Sequence, residues 1–281
     1  MTKTYVMAVS GGVDSVVLLD IMSQMPGEII VAHFDHGIRE DSQLDAEFVK
    51  DLANKYGYRF ETRREDLGPG ASEDLARTRR YEFLRSITQE NDASLVTAHH
   101  MDDLVETVAI NLTRGTGWRG LAVLDAPDIY RPLVRYTKQD VIEYAQHHKL
   151  EWREDPTNSD TKYLRNQLRQ QLKAMSLDDK LQIAALVTKQ RDLKKQIEKE
   201  SQQLVDSTYN TYNFSRYFFI NIPKAEALEC LRAIVGSKLT HPQLAKLLHA
   251  IKTMSLGKRY EAGNGVLVDF TTRNFSVELL K

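Results

Sequence analysis

Short apolar runs alternate with longer amphipathic segments over the first 150 residues of the chain. The runs have the length of β-strands, and the segments between them repeat apolar residues at the spacing of helices. The resulting βαβαβαβα order predicts an α/β fold with a doubly wound, mainly parallel sheet, whose ligands bind beyond the carboxyl ends of the strands. The predicted strands are Tyr5–Ser10, Glu28–Asp35, Arg59–Thr62 and Ser94–His99, and the predicted helices are Asp14–Met25, Asp41–Tyr56, Ser72–Asn91 and Asp102–Leu112.

The pattern changes after residue 160. From Thr161 to Tyr209 the chain contains no Gly or Pro, and the recurring apolar residues predict a helical linker. The remaining residues predict a small α+β module. Its elements are a strand at Phe218–Ile222, helices at Pro223–Val235 and Pro242–Met254, and strands around Arg259–Glu261 and Val266–Phe270. We therefore expect a catalytic domain at 1–160, a helical linker at 161–212 and a small α+β domain at 213–281.

Charge differs between the two halves of the chain. Residues 1–160 contain 18 Lys/Arg and 28 Asp/Glu, whereas the remaining residues contain 20 and 11. An acidic half suits magnesium and amine ligands, and a basic half suits a polyanion such as RNA. Mutual attraction of the halves, or ordinary solvated faces, would give the same counts. The clearest RNA-binding candidate is an acid-free stretch that contains Arg232, Lys238, Lys246, Lys252, Lys258 and Arg259.

Composition excludes several kinds of protein. The single cysteine, Cys230, rules out an internal disulfide, a CxxC redox pair and an all-cysteine metal site. No stretch is long and apolar enough to span a membrane, and the N-terminus lacks the apolar core of a signal peptide. We therefore expect a cytoplasmic protein without a membrane partner. The sequence leaves the oligomeric state open, with a homodimer as one option.

A glycine-containing loop lies between the first predicted strand and helix. Its glycines let the backbone approach an anion, its serines offer hydroxyl groups, and the amides of the helix start point at the same phosphate. The carboxylate of Asp14 fits a Mg²⁺ that accompanies the phosphates. The simpler interpretation is a strand-to-helix turn capped by Ser10 or Asp14. The loop differs from GxxxxGK[ST] and resembles the SGGxDS signature of ATP pyrophosphatases, so we expect ATP to contact Ser10, Gly11, Gly12, Val13, Asp14 and Ser15.

Imidazole and carboxylate side chains follow the second and fourth predicted strands, where catalytic groups of parallel sheets are expected. The second strand ends at His33-Phe34-Asp35-His36, and we assign His33 to the ATP site. The fourth is followed by Asp102, Asp103 and Glu106, whose spacing brings them together at the start of a helix. Such a cluster binds magnesium or a lysine ammonium group, and one carboxylate would accept a proton from an attacking amine.

We expect Asp103 and Glu106 to perform this chemistry, because helix capping explains Asp102. Asp14 and Asp103 are the candidate Mg²⁺ ligands, and both Asp35 and Glu106 are expected to lie outside the core. Arg114, in a glycine-rich loop, is a candidate for neutralising a phosphate during transfer. The alternatives are ordinary loop or core histidines and capping acids. The pair His99-His100 also invites a zinc interpretation, although no HExxH-like spacing accompanies it.

Together these residues resemble the tRNA(Ile)-lysidine synthases. The resemblance implies an adenine nucleotide α-hydrolase-like fold, ATP and Mg²⁺ as cofactors, and tRNA(Ile) with a CAU anticodon and L-lysine as partners. It further implies that ATP activates C2 of the wobble cytidine as an adenylate, which the lysine amine displaces, and that Asp35, Asp103 and Glu106 are essential acids. The matching segments are Ser10–Ser15, His33–Arg39, Ser72–Tyr81, Thr97–Thr107, Arg114–Gly120, Arg131–Leu133, Asp155–Asn158 and Arg165-Asn166.

Other interpretations stay open. The same loop occurs in tRNA thiolases and amidating synthetases, but thiolation needs a sulfur-carrying cysteine or iron–sulfur ligands, and Cys230 lies outside the predicted catalytic domain. A glutamine-dependent synthetase would need an amidotransferase domain or partner. A nucleotide-binding sensor without turnover is the third alternative. Pyrophosphate release in the presence of lysine and tRNA distinguishes an enzyme from such a sensor.

Overall fold

The chain forms two compact units, Met1–Thr188 and Lys189–Lys281. They are seen in a computed structural model that describes residues 3–37, 42–68, 70–154, 164–172, 174–210 and 213–280. The three-part division at residues 160 and 212 remains our proposal for the functional domains. In the described part of the chain, no helix has both the length and the apolar character that crossing a membrane requires.

The first unit is built on a five-stranded sheet in which every pair of neighbours is parallel. The strand order is β3-β2-β1-β4-β5. The central strand has consecutive buried residues, such as Val6 and Met7, because both faces of the sheet are covered. The strands are β1 Thr4–Ala8, β2 Glu28–Asp35, β3 Arg59–Arg64, β4 Ser94–Val96 and β5 Ile129–Tyr130.

Helices cover the two faces of this sheet. On one face Met7 and Val31 pack in a cluster with Leu18 and Val141, and on the other Val6 packs in a cluster with Leu84. This arrangement confirms the predicted doubly wound, mainly parallel α/β fold. The helices are α1 Val13–Ser23, α2 Ser42–Tyr56, α3 Glu73–Glu90, α4 Met101–Thr113, α5 Lys138–His147 and α6 Leu164–Leu172, with 3₁₀ turns at Trp118–Leu121 and Pro132–Arg135.

The direction of strand addition reverses at the centre of the sheet. From β1 the chain adds β2 and β3 on one side, and it then adds β4 and β5 on the other side. Ligands of open α/β sheets bind in the crevice at such a reversal. The loop after β1 and the residues between β4 and α4 therefore meet at the expected ligand site.

The second unit contains an antiparallel sheet of order β6-β7-β10-β9-β8 and a core that includes Phe219, Leu231, Leu247 and Phe275. The helical and strand segments predicted at Pro223–Val235, Pro242–Met254, Arg259–Glu261 and Val266–Phe270 are confirmed within one to two residues. The long helix α7 Leu177–Thr208 begins in the first unit and precedes this sheet in the chain. The other elements are β6 Tyr209–Asn210, β7 Asn213–Ser215, α8 Arg216–Asn221, α9 Lys224–Val235, α10 His241–Thr253, β8 Arg259–Gly263, β9 Val266–Phe270 and β10 Asn274–Leu279.

The strand predicted at Phe218–Ile222 is wrong, because α8 occupies this segment. The Ser215 hydroxyl caps the helix by accepting a hydrogen bond from the Phe218 amide. The buried Arg216 guanidinium donates to three backbone carbonyl oxygens, those of Ile251, Met254 and Thr271, at 2.8–3.0 Å. These contacts, with the full burial of Phe219, outweigh the strand preference of the Tyr-Phe-Phe-Ile sequence.

Candidate active site

The loop between β1 and α1 is held by its own serines. The Ser15 hydroxyl accepts hydrogen bonds from the backbone amides of Ser10 and Gly11, each at 3.2 Å, and donates to the Gly12 carbonyl at 2.9 Å. The two serine hydroxyl oxygens lie 3.3 Å apart. Gly12 is the N-cap of α1, whose first amides have no acceptor inside the helix. The loop is therefore preformed, and it presents the positive end of a helix dipole.

Gly11 is required by backbone geometry. Its φ of +90° is unfavourable for other residues, and an added Cβ would lie 3.3 Å from Phe48 Cδ1 and 3.4 Å from Val49 Cγ2. Gly12 differs, since its φ is −72° and an added Cβ would meet only the Ser10 hydroxyl, at 3.6 Å. Gly11 therefore shapes the loop, whereas Gly12 leaves space beside it.

Two cavities open on this loop, and both are lined by Ser10, Asp14 and Asp45. The smaller has a volume of about 430 Å³, and its walls include the ends of β1 and β2. The larger has a volume of about 800 Å³, and its walls include residues from α4, α5 and α6. A ligand whose phosphates lie on the loop would therefore reach both spaces.

The smaller cavity contains the two site residues predicted on β2. His33 Nδ1 donates to the Val9 carbonyl oxygen at 2.8 Å, which fixes the ring against β1. The Asp35 carboxylate accepts the Gly37 amide at 2.9 Å and lies 3.3 Å from an Arg64 guanidinium nitrogen. Asp35 is only 5% exposed, so the expectation that it lies outside the core is wrong. The carboxylate tolerates burial because it has charged and backbone partners.

Two neutral histidines lie in the wall of the same cavity. Burial, reinforced by the positive charge of Arg80, lowers the pKa of His36 to about 4. Burial and the charges of Arg131, Arg77 and Arg80 lower the pKa of His99 to about 3. Among the described residues, the buried atoms His36 Nδ1 and Tyr81 Oη have no hydrogen-bond partner. This wall therefore offers uncharged polar atoms that a ligand could satisfy.

The start of α4 surrounds an imidazole with carboxylates. His100 Nε2 lies 3.5 Å from Asp103 and 3.8 Å from Asp14, and its Nδ1 lies 3.8 Å from Asp102. Asp103 also caps the helix by accepting the His100 amide at 2.9 Å. Asp14 from the phosphate loop and Asp103 from α4 thus lie around one ring nitrogen of His100.

Asp102 is held by two lysines. It accepts the Lys138 backbone amide and the Lys180 ammonium group, each at 2.7 Å. Burial opposes ionisation of Asp102, but these hydrogen bonds outweigh it and lower the pKa of its carboxyl group. Asp102 therefore joins α4 to α5 and α7, a wider structural role than the capping that explained it from sequence.

Glu106 is paired with an arginine from α6. Arg169 donates two hydrogen bonds to its carboxylate, at 2.7 and 3.1 Å, and also lies 3.9 Å from Asp103. This hydrogen bonding raises the pKa of Arg169 against the opposing effect of burial. Glu106 is 3% exposed, so the expectation that it lies outside the core is wrong. The negative charge of the α4 carboxylates is therefore partly neutralised by nearby cations, and Glu106 already has Arg169 as its hydrogen-bond partner.

Sequence reasoning did not identify the cationic part of the site. Lys138, Arg169 and Lys180 contact acids that lie 124, 63 and 78 residues away in the chain. The family resemblance at Arg165-Asn166 was the one sequence feature close to any of these cations, namely to Arg169. The side chains of Arg165 and Asn166 lie outside the described residues. The matched segment Asp155–Asn158 and the residue Arg39 also lie outside them.

Arg114 is not brought to these cavities. It is the exposed C-cap of α4, at the opposite end of the helix from Asp103, about 16 Å away along the axis for a rise of about 1.5 Å per residue. It is absent from the described walls of both cavities, whereas Arg169 and Lys138 line the larger one. The role assigned to Arg114 stays a prediction without support from this geometry.

The residues beside the loop fit a magnesium ion that arrives with phosphates. In the described part of the chain, no group of three or more His, Cys, Asp or Glu residues is arranged to hold a metal ion unaided. Magnesium, however, commonly uses one or two carboxylates together with substrate phosphates. Asp14 already accepts a cation, since the Lys138 ammonium lies 2.6 Å from its Oδ1.

A parallel sheet with a phosphate loop at its reversal point and carboxylates around that loop defines an α/β nucleotide-binding protein. Comparison with known families agrees with this class. The PP-loop domain matches residues 1–175, so the chain belongs to the PP-loop family.

Curated relatives with the same domain include tRNA(Ile)-lysidine synthases. The chain is 41% identical over 172 residues to the protein from Exiguobacterium sibiricum, covering 59% of this chain and 41% of that protein. It is 35% identical over 229 residues to the protein from Enterococcus faecalis, covering 73% and 49%. The chain thus spans about half or less of the length of these relatives.

A solved structure shows the same fold. The U34-tRNA thiolase from Methanococcus maripaludis, determined with its 4Fe–4S cluster, matches with a TM-score of 0.57 and 18% identity, covering 68% of this chain and 73% of that one. At this identity the match supports the adenine nucleotide α-hydrolase-like fold predicted from sequence and carries no information about the substrate.

Proposed function

We propose that this chain uses ATP to adenylate the wobble cytidine of tRNA(Ile) with a CAU anticodon and then attaches L-lysine, releasing AMP and pyrophosphate. The observation that carries the proposal is the meeting of the Ser10–Ser15 loop, which contains Asp14, with Asp103 and Glu106 around two cavities. The similarity to lysidine synthases supports the choice of substrates.

The two cavities suggest where the ligands bind. The loop would hold the phosphates, since its helix start and hydroxyl groups suit an anion. The smaller cavity suits the base and ribose of ATP, because Ala8, Ala32 and Phe34 give it apolar walls and neutral histidines give it polar atoms. The larger cavity, with more charged walls, then receives the cytidine and the lysine.

The first step joins the cytidine to AMP. The C2 carbonyl oxygen attacks the α-phosphorus, the bond from that phosphorus to the bridging oxygen breaks, and pyrophosphate leaves with the bonding electrons. Such transfers depend on positioning and on neutralisation of accumulating charge. In this chain the loop amides, Lys138 and Arg169 are the groups available for that purpose. Asp35, at the end of β2 in the wall of the smaller cavity, would position the adenosine of ATP.

The second step forms the carbon–nitrogen bond. The lysine side-chain amine attacks C2, the bond from C2 to the adenylate oxygen breaks, and AMP leaves. The amine must lose a proton, although its pKa in water is near 10.4, so a nearby carboxylate must accept it. Asp103 is the better candidate for contacting the amine. It lines the smaller cavity but lies 3.9 Å from Arg169 in the wall of the larger one, so it stands where the two cavities meet. Glu106 lines the larger cavity, but it is buried and engaged by Arg169 through two hydrogen bonds.

Asp14 and Asp103 are the proposed magnesium ligands. A bound Mg²⁺ would supply positive charge to the phosphates and orient them for in-line displacement. Asp14 is the stronger candidate of the two, since it lines both cavities beside the loop and its carboxylate already binds an ammonium group.

The test is mass spectrometry of unmodified tRNA(Ile) incubated with the protein, MgATP and isotope-labelled lysine. We expect label on one cytidine, with AMP and pyrophosphate formed in equal amounts and no formation without Mg²⁺. ADP as the main product would contradict pyrophosphatase chemistry. Pyrophosphate without lysine transfer would favour another adenylating enzyme, and ATP binding without turnover would favour a sensor.

A further inference from the structure

The phosphate loop contains no basic side chain of its own. From Val9 to Val16 the chain has neither lysine nor arginine, although this loop is the proposed site of four negative charges. Backbone amides and hydroxyl groups bind phosphate but do not neutralise a whole charge. A lysine placed beside such a loop by another element would provide that charge.

Lys138 lies in this position. Its Nζ is 2.6 Å from Asp14 Oδ1, and it lines the larger cavity together with Ser10 and Gly12. It is the first residue of α5, and its backbone amide donates to Asp102 Oδ2 at 2.7 Å. The start of α5 is also fixed by a capping box, in which Thr137 and Asp140 exchange backbone-to-side-chain hydrogen bonds at 2.7 and 3.1 Å. The backbone of Lys138 is therefore anchored while its side chain projects to the loop.

The ion pair of Lys138 is suited to exchange. Its side chain is 39% exposed and that of Asp14 is 33% exposed, so solvent screens the pair and makes it weak. Lys180 gives a useful contrast, because its side chain is 14% exposed and its ammonium group is paired with Asp102 instead of Asp14. Of these two lysines, Lys138 is the one that can change partner at small cost.

From this geometry we propose that Lys138 binds the pyrophosphate portion of ATP, transferring its ammonium group from Asp14 to the β- and γ-phosphates when MgATP enters. The inference rests on the proposed use of ATP by this site. Magnesium and the ammonium group would compete for Asp14, and the arriving phosphates offer the ammonium group stronger, charge-assisted hydrogen bonds. Lys138 thus neutralises Asp14 in place of magnesium in the free protein, and it binds the phosphates in the complex.

A structural role would leave a different signature. If Lys138 only held α5 against α1, its replacement would change the shape of the loop. The binding of all nucleotides would then weaken alike. If Lys138 binds the β- and γ-phosphates, its replacement would weaken the binding of ATP and pyrophosphate and leave the binding of AMP unchanged. The comparison of these three ligands therefore separates the two roles.

The experiment is isothermal titration of AMP, MgATP and magnesium pyrophosphate into wild type, Lys138→Met, Lys138→Arg and a control, Lys50→Met, on the exposed surface of α2. For Lys138→Met we expect about a ten- to hundredfold loss of affinity for ATP and pyrophosphate, the range for one hydrogen bond to a charged group. AMP affinity should stay within about twofold. Lys138→Arg should recover most of the loss, and Lys50→Met should match wild type.

Two outcomes would overturn the inference. One is equal affinity of Lys138→Met and wild type for ATP, and the other is a parallel loss for AMP and ATP. Thermal melting of each variant, with Lys138→Gln as a second neutral replacement, excludes unfolding as the cause. Failure of the wild type to bind ATP would reject the proposed function itself. Normal ATP binding in wild type with no Lys138 effect would reject only this inference.

Discussion

Arg169 donates two hydrogen bonds to the carboxylate of Glu106, at 2.7 and 3.1 Å, and the glutamate is 3% exposed. A buried carboxylate without its cation is costly, so Arg169→Met should lower the free energy of unfolding by about 1–3 kcal/mol. The lower part of that range is expected, because 35% of the Arg169 side chain is exposed. Urea unfolding measures the change. The double variant Arg169→Met/Glu106→Gln should recover part of the loss, and a fully stable Arg169→Met would contradict the pairing.

The burial of Asp35 and Glu106 adds a loss of stability to the loss of activity expected when either acid is replaced. Asp35→Asn and Glu106→Gln should both abolish lysine incorporation in the tRNA assay, as proposed for essential carboxylates. Because both residues are buried, each variant should also melt at a lower temperature than wild type. Activity is therefore compared well below the melting temperature of each variant. Near-normal lysine transfer by Glu106→Gln would reject its place in the proposed site.

Much of the architecture was predictable from local patterns. Val6 and Met7 in a run of apolar residues indicate a strand covered on both faces, and Ser10–Ser15 indicates an anion-binding turn at its end. The cations were not predictable, because Lys138, Arg169 and Lys180 reach the acids through tertiary packing of α5, α6 and α7. The burial of Glu106 was missed for the same reason, since its partner lies 63 residues away.

Gly11 and Gly12 offer a matched test of the phosphate loop. Gly11→Ala should lose about 1–2 kcal/mol of stability, the usual cost of a left-handed conformation for a residue with a Cβ, increased by crowding against Phe48. Gly12→Ala should change stability by less than about 0.5 kcal/mol, because its backbone is extended and no close contact forms. Denaturant unfolding checks both. Equal losses would show that positive φ at Gly11 is not what the loop requires.

The neutral histidines predict a pH dependence of stability. His99 and His36 have pKa values of about 3 and 4 when folded, against about 6.5 unfolded, so the unfolded chain binds more protons between these values. Stability should be full above pH 6.5 and should fall as the pH drops toward 4. Each histidine contributes at most about 1.4 kcal/mol per pH unit. His99→Gln should flatten this slope in urea unfolding at pH 7, 6 and 5, whereas exposed His147→Gln should not.

The basic stretch of the second unit is not uniformly available to RNA. The Arg259 guanidinium pairs with Asp269 at 2.7 Å and with Glu278 at 3.2 Å, and the Lys238 ammonium donates to the Leu280 carbonyl at 2.7 Å. The stretch lacks acids in sequence, but β9 and β10 supply them in the folded unit. The exposed Lys246, Lys252 and Lys258 are therefore better candidates for phosphate contacts.

A cavity of about 430 Å³ on the same unit supports this choice, since Lys246, His249 and Tyr260 line it and an aromatic ring can stack on an unpaired base. Lys246→Gln and Lys252→Gln should each weaken tRNA binding and reduce its log–log salt slope by about 0.7 to 0.9. Arg259→Gln should reduce the slope less, because its charge is already balanced by two acids. ATP affinity should not change, because the phosphate loop belongs to the first unit. Binding measured from low to moderate salt tests this order, and an unchanged slope in all three variants would assign the RNA to another surface, such as the arginines of Arg77–Arg80.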